Sequence, residues 1–177
     1  MRFIFTLLFC LLLLGFIGLV FIYSGFYNVT ATEPHTEPVA WVLETTKRRS
    51  VATRADNIEV PALFTEDQIR HGYVHYMAMC VMCHGAPGVE QTELAQGLRP
   101  AAPPVRDMVP EWTSAELFWV VKYGIRMTGM PAWGVTHDDD ELWSIVAFME
   151  RLPQLTVEQF QQLQAELADE AVDHHYH

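Results

Sequence analysis

The sequence predicts an all-α protein, a small helical bundle preceded by a single transmembrane helix. Three observations carry this. The run from Phe3 to Tyr23 contains no charged residue. Helix-start signals recur at Thr65-x-x-Gln68, Thr113-x-x-Glu116 and Thr156-x-x-Gln159, with a looser version at Asp138-x-x-Glu141. In such a box the first side chain accepts from an orphan backbone N–H and the last reaches back to do the same. Apolar residues then follow at helical period, and no strand signal of comparable length appears.

The amino-terminal run holds about 20 apolar residues, which at about 1.5 Å per residue matches a hydrocarbon layer of about 30 Å. It exceeds the roughly 7–15 apolar residues of a cleavable leader. The following Ser24-Gly25-Phe26-Tyr27-Asn28 offers no convincing cleavage site. Residues 1–24 are therefore expected to be an uncleaved signal-anchor. Lipid attachment at Cys10 is disfavoured because Phe9 is not the small residue such processing needs. Arg2 precedes the span, whereas the next stretch carries Glu33 and Glu37 without Lys or Arg. Flanking charge thus places the amino terminus in the cytoplasm of a bacterial inner membrane and the rest in the periplasm.

Residues 25–57 read as a linker with a short helix over Ala40 to Ala55. There Trp41, Val42 and Leu43 and the basic Lys47-Arg48-Arg49 suit either lipid headgroups or a helix packed on the domain. Residues 58–155 form the main domain. Its first helix aligns Ile69, Tyr73, Tyr76 and Cys80, and the helix after Asp138 aligns Leu142, Ile145, Met149 and Leu152. Phe64 with Ile69, Trp112 with Leu117 and Leu155 with Phe160 fit hydrophobic staples across the helix starts. Pro100, Pro103, Pro104 and Pro110 mark an irregular stretch. Residues 156–177 are a carboxy-terminal helix presenting Phe160, Leu163, Leu167 and Ala171, then a polar tail, His174 to His177.

With 22 acidic and 11 basic residues the net charge is −11. Such a chain cannot neutralise phosphates, so nucleic acid is excluded as a partner, and a docking partner with a basic face is favoured. The Asp138-Asp139-Asp140 run suits the positive end of a helix better than a cation site.

The chemistry-bearing motif is Cys80-Val81-Met82-Cys83-His84. Two thiols three residues apart can each add to a vinyl group of one porphyrin, and the adjacent imidazole then reaches the iron. Zinc would need about four ligands, but the remaining cysteine, Cys10, lies in the apolar run. A thioredoxin-like pair would need a βαβ context that is missing. A second axial ligand must come from elsewhere. Met130 is preferred, because Gly129 and Pro131 bracket it in a turn-prone backbone that can aim its sulfur. Met127 is expected to pack.

Cys80-x-x-Cys83-His84-Gly85, followed about 45 residues later by Thr128-Gly129-Met130-Pro131-Ala132-Trp133, resembles the class I cytochrome c family, particularly bacterial single-haem domains. The resemblance covers about Thr65 to Leu152. It implies a cytochrome c-like bundle around one covalent haem c, with Cys80 and Cys83 attached and His84 and Met130 on the iron. It implies that Gly72 and Tyr76 meet Trp143 where the first and later helices cross. It also implies a proline carbonyl that bonds the ligand histidine's other nitrogen, Pro104 or Pro103. Arg126 and Trp133 are further candidates for the haem environment.

The function expected from this resemblance is that of an electron carrier rather than an enzyme. A membrane-anchored periplasmic monohaem cytochrome would pass single electrons between respiratory or dehydrogenase partners, either as a free carrier or as a complex subunit. The rival is a five-coordinate haem that binds gas or turns over peroxide, which requires Met130 to be off the iron.

Overall fold

The computed structural model describes residues 1–62 and 64–173, with side chains through Leu167. The His174–His177 tail and the side chain of Ala171 lie outside the described residues. The described chain is helical, without a β-strand, and divides into two units, Met1–Glu33 and Pro34–His177.

In the first unit, α1 (Arg2–Tyr23) is exposed along its whole length and is long and apolar enough to cross a membrane. The same length and composition serve a leader sequence equally well. Phe21 makes ring contacts with Phe26 and Tyr27 at 6.3 and 6.4 Å.

The second unit opens with α2 (Glu37–Ala55). The expected linker with a helix from Ala40 is thus corrected: the helix starts three residues earlier and belongs to the domain. Pro38 does not delay it, because the first N–H groups of a helix have no intrahelical partner and proline lacks only that. Val51 and Ala55 share one face and are 1% and 3% exposed. Arg48 lies over the Trp112 ring at 4.6 Å and pairs with Glu111 and Glu44. The packed-helix alternative therefore holds for the second half of α2. Trp41, Val42 and Leu43 stand exposed on the first half.

All four helix starts carry the expected boxes. α3 (Glu66–His75) is capped by Thr65, α7 (Ser114–Tyr123) by Thr113 and α8 (Asp139–Arg151) by Asp138, each with its reciprocal bond. At α9 (Val157–Asp173), Thr156 Oγ1 accepts from Gln159 N–H at 3.2 Å, and Gln159 Oε1 accepts from Thr156 N–H at 2.9 Å. Asp138 is thus a helix cap, and Asp139 pairs with Lys122 at 2.6 Å. The proline-rich stretch is less irregular than expected. It holds the short α6 (Val105–Met108) and a 3₁₀ turn from Val109 to Glu111, and the short α5 (Glu93–Gln96) precedes it.

The core forms where α3 crosses α8. A Cβ on Gly72 would lie 1.8 Å from the Ser144 carbonyl oxygen and 2.9 Å from Phe148 Cβ, so the two backbones are in direct contact. This corrects the expected meeting with Trp143. Gly72 faces Ser144 and Phe148, and Tyr76 lies 5.2 Å from the Phe148 ring. Trp143 is turned by one position toward α7, stacked on Phe118 at 4.2 Å. Phe160 of α9 closes the core beside Tyr73, with ring centroids 6.0 Å apart. Gly72→Ala should therefore cost more than a surface glycine change, about 3 kcal/mol, at the upper end of the overpacking range. Thermal melting of the purified protein measures it, and a melting temperature within a degree of wild type would refute the close approach.

Candidate functional site

The last residues before the Cys-x-x-Cys-His motif do not continue α3 as a regular helix. Tyr76–Cys80 forms a π-helical turn, followed at once by the short α4 (Val81–His84). Such one-turn insertions mark functional sites more often than plain helix does. Here the turn keeps Tyr76 and Cys80 buried while Ala78 faces out. Cys83 and His84 are half-buried on α4. α4 ends at Gly85, whose φ of 68° lies in the left-handed region that glycine enters without strain.

The histidine is held by a single well-placed bond. His84 Nδ1 lies 2.7 Å from the Pro103 carbonyl oxygen. A carbonyl only accepts, so Nδ1 carries the proton and Nε2 keeps its lone pair. The sequence left two prolines in play and favoured Pro104. The structure gives the role to Pro103, while Pro104 is the residue preceding α6 and its carbonyl accepts from Asp107 and Met108 N–H at 3.1 and 3.2 Å. Burial lowers the His84 pKa against the opposing pull of the Pro103 carbonyl. The imidazole is therefore neutral at pH 7, the form that ligates metal. Burial, helped by the neighbouring Cys83, pushes the Cys80 thiol up to about 12. Cys80 and Cys83 are not joined as a disulfide.

Met130 sits in a loop closed on itself. Ile125 N–H donates to Met130 O at 3.2 Å, Met130 N–H donates to Thr128 Oγ1 at 3.1 Å, and Thr128 Oγ1 donates to Ile125 O at 2.7 Å. At the loop's start Gly124 has a φ of 65°, and a Cβ there would come within 2.7 Å of the Pro131 carbonyl. Local bonds and one backbone contact thus fix Met130, which is half-buried against the core. Met127 does not pack as expected. It is 93% exposed, because its positive φ of 60° turns the chain outward there. Arg126 is exposed on the same loop. Trp133 is half-buried at the start of a 3₁₀ turn, edge-on to His137 at 5.8 Å.

These residues fit a haem. They supply two thiols one helical turn apart, a neutral imidazole whose Nε2 is available, and a thioether on a fixed non-helical loop. The residue that sequence reasoning missed here is Tyr76 in its polar role. Its hydroxyl donates to the Gly85 carbonyl at 2.6 Å, from a fully buried position. A tyrosine on an otherwise apolar stripe was the available signal, since a buried phenol needs a partner. Tyr76→Phe leaves the buried Gly85 carbonyl without this donor and should lower stability by about 1–3 kcal/mol. Chemical denaturation with an unshifted midpoint would show that the bond contributes nothing.

The sequence model of the family described as cytochrome C oxidase, cbb3-type, subunit III matches residues 67–149. No curated protein matches the chain. The matched stretch runs from the first turn of α3 into the last turns of α8 and includes the cysteines, His84, Pro103 and Met130. Residues 67–149 thus match a c-type cytochrome domain, and a domain of that kind implies haem c.

Proposed function

We propose that this protein is a membrane-anchored, periplasmic monohaem cytochrome that passes single electrons between respiratory or dehydrogenase partners. The observation that supports this reading is that the chain holds a candidate for each axial position. His84 offers Nε2 because Pro103 occupies Nδ1, and Met130 offers its sulfur from a loop locked by Thr128 and Gly124. Cys80 and Cys83 would hold the group through thioether bonds. When bound, haem supplies reversible one-electron exchange, and a methionine opposite histidine raises its potential. Were His84 and Met130 both to bind the iron, no coordination site would be left for a substrate. This favours an electron carrier over a peroxide- or gas-binding haem.

Anchoring rests on α1, which is long and apolar enough to cross a membrane. The charge asymmetry around α1 supports an exported domain. Holding the domain at the membrane raises its effective concentration toward partners in the same bilayer. The matching family is named for a subunit of an oxidase, which supports a place inside a respiratory complex.

Two measurements test the reading. The purified protein, denatured on a gel, should keep a haem peroxidase stain, and a pyridine haemochrome assay should give one haem per chain. Cys83→Ala should halve the thioether linkage and shift that spectrum. Retained porphyrin absent from the wild-type gel would end the proposal. Separately, Met130→Ala should lower the midpoint potential and let the ferrous protein bind carbon monoxide. Equal carbon monoxide binding by the wild type would instead favour the five-coordinate rival.

A further inference from the structure

A helix leaves its last four carbonyls without intrahelical partners. α4 has only four residues, so its carbonyls depend on bonds made from outside it. The following loop supplies them. Gly85 N–H donates to Val81 O at 2.8 Å, and Thr92 donates twice to Met82 O, from N–H at 3.0 Å and from Oγ1 at 2.8 Å. Gln91 Nε2 donates to Cys83 O at 2.7 Å.

Gln91 does more than cap. The same nitrogen donates to Ala102 O at 2.8 Å. A primary amide nitrogen has two N–H groups, so both bonds form together. Both neighbours are carbonyls, which only accept, so the amide nitrogen and not its oxygen must face them. Ala102 immediately precedes Pro103, whose carbonyl takes the His84 Nδ1 proton, and Cys83 immediately precedes His84. The half-buried Gln91 amide therefore ties together the two backbone segments whose separation sets the length of the His84–Pro103 bond. Gln91, Pro104 and His84 also line one cleft of about 500 Å³. Displacing the amide would widen the approach of water to that bond.

We propose that Gln91 is a positioning residue for the iron ligand: by bridging Cys83 O and Ala102 O it holds the Pro103 carbonyl on His84 Nδ1, and so sets the electron donation of the imidazole and the potential of the haem. This rests on His84 being the axial ligand. A carbonyl pulling on Nδ1–H makes the imidazole a stronger donor and stabilises the oxidised iron. Loosening that bond raises the potential.

The test compares full-length holoproteins in detergent by optical redox titration: wild type, Gln91→Leu, Gln91→Asn and Thr113→Ala. Gln91→Leu keeps the bulk and removes both donors, and its midpoint potential should shift upward. Gln91→Asn keeps the amide on a stem one methylene shorter, cannot span both carbonyls, and should also shift upward. Thr113→Ala breaks the α7 cap without touching this network, so its potential should stay at the wild-type value. Haem-loaded Gln91 variants with the wild-type potential would overturn the proposal, as would an equal shift in Thr113→Ala. If Gln91→Leu fails to retain haem, the Gln91→Asn potential decides in the same way. Failure of the underlying reading looks different: the wild-type protein itself would lack covalent haem or the spectrum of a histidine-ligated iron.

Discussion

The contact on which the rest of this structure depends is that of two backbones, Gly72 of α3 against the Ser144 carbonyl of α8. No side chain fits between them, so the crossing admits one register. That register fixes which residues of α3 enter the core. Tyr73 meets Phe148 edge-on at 5.5 Å, and Tyr76, fully buried, follows one turn later. From Tyr76 the consequences reach the site directly. Its hydroxyl seizes the Gly85 carbonyl, so the far end of α4 is referenced to the core through one buried bond. Cys80, Cys83 and His84 lie between these two fixed points.

α4 alone could not hold its shape, since a four-residue helix lies far below the length at which helices persist in water. It survives because each end is tied to something larger. The π turn joins it to α3, and the loop from Gly85 to Thr92 returns over its carbonyl end. An isolated bridge between Ala86 and Val89 tightens that return. The motif's spacing is thus only half of the requirement for holding a porphyrin. The other half is a set of donors that satisfies the carbonyls of a helix kept short enough to present both thiols and the imidazole.

Much of this was legible in the sequence, where the physics is local. The four capping boxes depend on residues three apart and formed at each predicted place. The Cys-x-x-Cys-His motif and the Gly129-Met130-Pro131 turn are likewise local. What failed was set by rotation or by long-range path. A helix turns about 100° per residue, so exchanging Trp143 for Ser144 as the partner of Gly72 is a single step. A glycine pressed on a helix calls for a small residue opposite, and Ser144 is smaller than Trp143. Choosing Pro103 over Pro104 depends on how the loop approaches His84, which neither proline encodes. α2 was expected, but as part of a linker and three residues short at its start, because its packing on Trp112 and α7 joins residues some sixty positions apart. Met127 turned outward because the chain takes a left-handed residue there, unusual for a side chain of its size.

The two candidate iron ligands, Met130 and His84, are held by different kinds of structure. Met130 is fixed by a turn whose hydrogen bonds all lie within Ile125–Met130, so its placement is a property of one short segment. His84 is fixed by residues from three stretches, at 83–84, 91–92 and 102–103, none of which alone determines the bond to Pro103. The placement of Met130 therefore rests mainly on that segment and on the backbone contact of Gly124 with Pro131. The bond between His84 and Pro103 depends on longer-range structure, because Ala102, in the loop between α5 and α6, is tied to Cys83 through Gln91.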